Sequence, residues 1–85
     1  MTLLVVKTLD RYVIVTMDNP TMYYKRLTSG EHSFVENIEY ATNFLSRKTA
    51  NMYKNFFYED TKLIDKELLI IPLKINYELV EENYD

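Results

Sequence analysis

The stretch Ser46-Arg-Lys-Thr-Ala-Asn-Met-Tyr-Lys-Asn-Phe-Phe-Tyr-Glu-Asp60 carries the strongest local pattern in the chain. At 100° per residue, its apolar side chains share one arc of about 160°, and basic and amide side chains fill the opposite side. Ser46 is a natural N-cap, because its hydroxyl accepts a hydrogen bond from a free N–H of the first helical turn. We therefore predict an amphipathic helix over residues 46–59, with Ala50, Met52, Tyr53, Phe56 and Phe57 on its apolar side.

The segment that follows changes its hydrophobic period to two. Its apolar residues recur at every second position, at Ile71, Leu73, Ile75, Tyr77 and Leu79. This alternation predicts a long strand with these five residues on one buried face. Pro72 cannot donate a hydrogen bond to a ladder, so we place this strand at a sheet edge or at a bulge.

The N-terminal part is rich in residues that favour strands. Two β-branched runs, Leu3–Thr8 and Tyr12–Met17, flank Leu9-Asp10-Arg11, and we interpret them as a β-hairpin. Met22–Leu27 is a candidate third strand. A turn at Thr28-Ser29-Gly30-Glu31 ends it and contains the only glycine of the chain, where a positive φ is most needed.

These elements define the predicted fold class. The order is β-β-β-α-β, with a short helical turn at 37–42 before the helix. We predict an α+β fold in which a small antiparallel sheet of three or four strands carries one amphipathic helix on one face. The 85 residues suit a single domain, 1–85, with 81–85 as a frayed tail.

Composition excludes several classes of protein. A hydrophobic share of 47%, with one glycine and two prolines, excludes a disordered or collagen-like chain. The absence of cysteine excludes disulfides and thiolate chemistry. Apolar runs are too short for a secretory segment or a spanning helix, so we expect a cytoplasmic protein with no membrane association.

Catalytic and metal-binding patterns are poor. The only histidine, His32, falls beside the predicted turn, and its spacing to Ser33 and Glu36 does not define a nucleophile–base pair. We expect an exposed loop histidine, a protein that is not an enzyme, and no cofactor. Acidic residues after the helix favour a solvated loop over a metal site, at Glu59, Asp60, Asp65 and Glu67.

Protein–protein interaction is better supported. The chain has eight tyrosines and no tryptophan, more aromatic residues than so small a core can hold, and exposed tyrosines favour interfaces. Our candidate partner-binding residues are aromatic or acidic: Tyr23, Tyr24, Tyr58, Tyr84, Glu59, Asp60, Glu78, Glu81 and Glu82. The acidic ones, with Asp65 and Glu67, suggest mimicry of DNA phosphates.

Two alternatives stay open. A nucleic-acid-binding module would use Tyr23, Lys25, Arg26, Arg47 and Lys48. The formal net charge of -3, from 10 basic and 13 acidic residues, disfavours binding of a polyanion. The second alternative is a structural or self-assembling protein. Separately, the unpaired edge of the strand that contains Pro72 is a second candidate contact surface, for pairing into a homodimer.

A spacing motif precedes and begins the helix: Ile38, Ala41, Phe44, Ser46 and Ala50. It resembles a pattern in small uncharacterised proteins of phages that infect low-GC Gram-positive bacteria. The resemblance implies a phage gene product that acts in the bacterial cytoplasm. In this context, the missing catalytic motifs, the tyrosine surplus and the acidic C-terminal third lead us to expect a non-catalytic protein that inhibits or modulates one host protein, such as a nucleic-acid enzyme or a defence nuclease.

Overall fold

A computed structural model describes the backbone of residues 3–80. The described elements are, in order, β1 (Leu3–Thr16), β2 (Tyr23–Arg26), β3 (His32–Val35), a 3-10 helix (Ile38–Tyr40), α1 (Arg47–Thr61) and β4 (Leu68–Val80). The four strands form one antiparallel sheet in the order β3-β2-β1-β4. The predicted α+β class and the order β-β-β-α-β are confirmed.

The predicted N-terminal hairpin is wrong. Leu9-Asp10-Arg11 is not a turn but the middle of β1, where these residues lie opposite Ile75, Lys74 and Leu73 of β4. The two strands pair from Leu3↔Val80 to Thr16↔Leu68, with one bulge between Val5 and Lys7. This long ladder includes residues 9–11, whose backbone groups the turn of a local hairpin would leave to solvent.

A hairpin joins β2 to β3. Residues 27–31 connect the two strands, and the N–H of Leu27 donates to the carbonyl of Glu31 at 2.9 Å, which leaves a loop of Thr28, Ser29 and Gly30. Gly30 has a φ of 91°. Its N–H donates to the carbonyl of Leu27 at 2.9 Å. A three-residue hairpin loop that ends in a left-handed residue favours glycine there, as the sequence predicts.

The predicted helix is confirmed and extends two residues further. Ser46 caps it, since its Oγ accepts from the N–H of Thr49 at 3.1 Å. The helix ends at Thr61, and its C-cap, Lys62, is a non-glycine residue with a φ of 61°. Its buried residues belong to a core that β1, β2, β4, α1 and the segment before α1 all contribute to. The core residues are Ile14, Tyr24, Phe44, Ala50, Phe57 and Leu68. Met52 and Phe56 remain exposed, because the narrow sheet covers only part of the predicted apolar arc.

The predicted buried face of β4 is also wrong. Leu68 and Ile70 pack into the core, whereas Ile71, Tyr77 and Leu79 are 40% to 63% exposed. The register explains this, since Thr16↔Leu68 and Ile14↔Ile70 place the even-numbered residues of both strands beneath the helix. Beyond Pro72, β1 and β4 continue as a two-stranded ribbon.

A short segment separates β1 from β2 where the two strands diverge. Phe44 exchanges two backbone hydrogen bonds with Tyr12, at 2.8 and 2.9 Å, and the N–H of Thr42 donates to the carbonyl of Tyr24 at 3.0 Å. The chain thereby passes from the 3-10 helix on one face of the sheet to α1 on the other. Among residues 3–80, no helix has both the length and the apolar character needed to cross a bilayer.

Candidate functional site

The predicted partner-binding residues do not form one surface. Tyr24 is completely buried in the core, so the prediction that it contacts a partner is wrong. Tyr23 is half-buried, on the face of β2 opposite to Tyr24, and Glu78 is exposed on the distal ribbon. Glu81, Glu82 and Tyr84 lie outside the described residues. Tyr58, Glu59 and Asp60 lie next to one another in the last turn of α1.

The end of α1 leads into a loop that exposes two adjacent large aliphatic side chains. The connection from α1 to β4, residues 62–67, presents Leu63 and Ile64, and Ile64 is 76% exposed. Met17 lies at the same end of the molecule, because its N–H donates to the carbonyl of Glu67 at 3.2 Å. We call Met17, Leu63 and Ile64 the apolar tip.

Lys66 fixes the loop behind the apolar tip. Its carbonyl accepts from the Tyr58 hydroxyl at 2.6 Å, and its Nζ donates to Oδ2 of Asp18 at 2.6 Å. Its N–H donates to the carbonyl of Leu63 at 3.2 Å. The same Nζ lies 5.0 Å from the ring centre of Phe34, a cation–π contact. These contacts preorganise the loop, so that a partner would pay little entropy to order it.

The surroundings of the apolar tip are mainly acidic. Four carboxylates lie on the loop or within three residues of it in sequence, and a fifth, that of Asp18, is paired with Lys66, one of the two lysines of the loop. The carboxylates are those of Asp18, Glu59, Asp60, Asp65 and Glu67. An open cleft of about 420 Å³ is lined by Asp18 and residues 62–66. The sequence predicted the acidic loop but missed the apolar tip, although two adjacent large aliphatic residues in a polar connection are a signal for it.

His32 is not the exposed loop residue that the sequence predicts. Only 8% of its side chain is exposed. Its Nδ1 lies 2.6 Å from the Tyr24 hydroxyl, and its Nε2 lies 2.7 Å from Oδ2 of Asp60. A neutral imidazole protonated on Nε2 satisfies both bonds, because Tyr24 then donates to Nδ1 and Nε2 donates to Asp60.

This network fastens β2 and β3 to the end of α1. The Tyr24 hydroxyl has no route to a substrate, since the whole residue is buried. Burial raises the pKa of Tyr24 above its usual value near 10, and the nearby Arg26 guanidinium opposes the shift. The Tyr24–His32–Asp60 hydrogen bonds resemble an acid–base relay. Because Tyr24 is buried, they act here as a structural link between β2, β3 and α1.

The two arginines of the nucleic-acid alternative contact aromatic rings, and Lys48 is exposed on α1. The Arg47 guanidinium lies 5.1 Å from the Tyr12 ring centre, and Arg26 lies 5.5 Å from that of Tyr53. Lys25 is on the other face of the sheet. These contacts do not assemble a groove that could follow a phosphate backbone.

No three histidine, aspartate or glutamate side chains among the described residues are grouped so that they could hold a metal ion. In comparisons with known proteins, no family model, curated protein or solved structure matches this chain.

Proposed function

We propose that this is a non-catalytic phage-type protein that binds a bacterial host protein and inhibits or modulates it. The observation that carries the proposal is the apolar tip, since Leu63 and Ile64 are exposed on a loop held by the Lys66 contacts. Clustered exposed apolar side chains mark protein interaction sites, and a preorganised support lowers the entropic cost of binding. The phage context rests on the resemblance of the motif at Ile38–Ala50.

The charge around the apolar tip indicates the chemistry of the partner. A complementary surface has an apolar pocket for Ile64 and a basic rim facing the carboxylates of Glu59, Asp65 and Glu67. Nucleic-acid enzymes and nucleases expose such basic surfaces to their substrates. DNA mimicry is thus confined to the acidic groups near the tip, and Glu78 on the distal ribbon is not part of it.

Affinity capture with matched variants tests the proposal. Wild-type protein, Ile64→Ser and Leu45→Ser are used as bait in nuclease-treated lysate of a Gram-positive host, and bound proteins are identified by mass spectrometry. Leu45 is the control, because it is 75% exposed and lies outside the loop. We expect wild type and Leu45→Ser to retain the same host protein and Ile64→Ser to lose it. Equal retention by all three baits would contradict the assignment of the tip.

The contribution of the preorganised loop is tested with Tyr58→Phe. This variant keeps the aromatic ring and removes only the donor to the Lys66 carbonyl. We expect the affinity for the captured protein to fall about three- to tenfold, measured by calorimetry, because the loop must then be ordered on binding. Unchanged affinity would show that the hydroxyl does not contribute to binding.

Salt dependence separates simple docking from DNA mimicry. If the carboxylates replace phosphates, the affinity falls steeply as ionic strength rises. Binding that is insensitive to salt removes the mimicry and leaves apolar docking. If a protein is captured from untreated lysate but not from nuclease-treated lysate, the result would instead favour the nucleic-acid alternative.

A further inference from the structure

The outer edge of β4 is one side of the sheet, and no strand among the described residues pairs with it. A long unpaired edge is a template for another strand, so proteins normally protect it. One half of the β4 edge is protected against pairing with another strand and the other half is not. The unprotected half is where a second strand can bind.

The register shows which backbone groups of β4 point outward. Tyr12 exchanges its hydrogen bonds with Phe44, away from β4, and Tyr12 lies opposite Pro72. In an antiparallel ladder, the partner of an outward-bonding residue also points outward. The even-numbered residues of β4 therefore direct their N–H and C=O groups to the free edge.

The half of this edge next to the helix is blocked. Pro72 has no N–H to offer, and the outward carbonyl of Ile70 accepts a hydrogen bond from the Arg47 guanidinium at 3.4 Å. From Leu73 to Leu79 no such obstacle is present. Lys74, Asn76 and Glu78 expose unpaired backbone groups there.

We propose that a second copy of this chain pairs with this free edge, in an antiparallel dimer with Asn76 opposite Asn76 of the second copy. In this register, Lys74 lies directly opposite Glu78 of the second copy, and the pair occurs twice because of the two-fold symmetry. About six backbone hydrogen bonds form, from the outward groups of the three even-numbered residues.

Charge distinguishes this register from those centred two residues away on either side. Centring the pairing on residue 74 would place Lys74 opposite itself, and centring it on residue 78 would place Glu78 opposite itself. Like charges directly opposite each other destabilise a sheet, and opposite charges stabilise it. The centre at Asn76 is the one that makes both charged residues complementary.

The exposed face of β4 gains partners in the same register. Ile75 lies opposite Tyr77 of the second copy, and Leu73 opposite Leu79. Tyr77 and Leu79 are more than half exposed in the single chain. A groove of about 470 Å³ between the 3-10 helix and this face, lined by Ile38, Leu73, Ile75 and Tyr77 among others, lies beside the new pairs. The dimer thereby covers the face that the alternating sequence marks as apolar.

Charge reversal with rescue tests the dimer. Sedimentation equilibrium at concentrations up to about 1 mM compares wild type with Glu78→Lys and with the double variant Glu78→Lys/Lys74→Glu. We expect a wild-type mass of twice 10.2 kDa and a dimer dissociation constant at least about tenfold higher for Glu78→Lys. The double variant should recover part of this loss, because its charges are again opposite. Circular dichroism confirms that each variant is folded.

Crosslinking tests the register itself. The chain has no cysteine, so Asn76→Cys introduces one thiol next to the two-fold axis, within reach of a short bismaleimide. Thr8→Cys is the matched control, because Thr8 lies opposite Asn76 on the inner strand and would be about 15 Å from its copy. Efficient crosslinking of Asn76→Cys alone supports the dimer. A monomeric wild type, or equal crosslinking of both variants, overturns it.

Discussion

At the scale of single residues, Tyr24 combines the deepest burial with a titratable group. Burial raises its pKa, so in the folded protein the neutral hydroxyl persists to higher pH than in the unfolded chain. The stability that this provides is complete below about pH 10 and is lost as the pH rises through the folded pKa.

We expect an alkaline spectrophotometric titration to show a late phase in which Tyr24 becomes a phenolate. In Tyr24→Phe this late phase should be absent, and unfolding in urea should show a loss of about 1–3 kcal/mol, because Nδ1 of His32 loses its partner. A late phase that persists in Tyr24→Phe would assign it to another tyrosine.

Lys62 is a residue whose backbone conformation lowers the stability of the protein. It adopts a φ of 61° at the C-terminus of α1, a region that costs a residue with a Cβ about 1 kcal/mol and costs glycine little. We expect Lys62→Gly to raise the free energy of unfolding by about 0.5–1 kcal/mol in urea denaturation. Lys54→Gly, inside the same helix, should lower it by about 1 kcal/mol. The same sign for both substitutions would refute this explanation.

At the scale of elements, the helix depends on a cap that the sequence already identifies. The Ser46 hydroxyl accepts from the N–H of Thr49, and α1 covers most of the core. We expect Ser46→Ala to reduce stability by about 1 kcal/mol. Ser29→Ala, in the β2–β3 loop with a longer 3.4 Å contact, should be nearly neutral. Thermal unfolding of both variants would measure the difference.

The ribbon of β1 and β4 is the element that gives the chain its length. A two-stranded ribbon is marginal by itself in water, and α1 does not cover its distal half. This explains why its apolar residues have such different surroundings from Leu68 and Ile70. It also places the proposed dimer contact far along β4 from the helix, while the apolar tip lies in the loop that precedes that strand.

At the scale of the whole molecule, this ribbon makes the protein elongated. The radius of gyration is 16.4 Å and the principal extents are 59 × 26 × 24 Å, whereas a compact chain of this length would have a radius near 12 Å. Small-angle scattering from Glu78→Lys, measured at a concentration where sedimentation shows it monomeric, should give a radius near 16.4 Å. A value close to 12 Å would mean that the ribbon folds back onto the helix.

The sequence by itself determined the features that a local window encodes. The helix with its Ser46 cap, the turn at Gly30 and the edge position of Pro72 each follow from the chemistry of a few neighbouring residues. The class α+β follows from their order along the chain. The acidic loop beside the candidate site could also be predicted, because adjacent carboxylates favour solvent.

Tertiary structure alone decided which surfaces are covered. Leu9-Asp10-Arg11 continues a strand because β4, more than 60 residues away, pairs with it. His32 is buried because Tyr24 and Asp60 converge on its ring from two other elements. The even-numbered face of β4 became the core face because the register with β1 places it beneath α1. The periodicity of a sequence shows that one face of an element is apolar. Whether that face is buried depends on partners distant in sequence, and a local pattern does not specify where those partners lie.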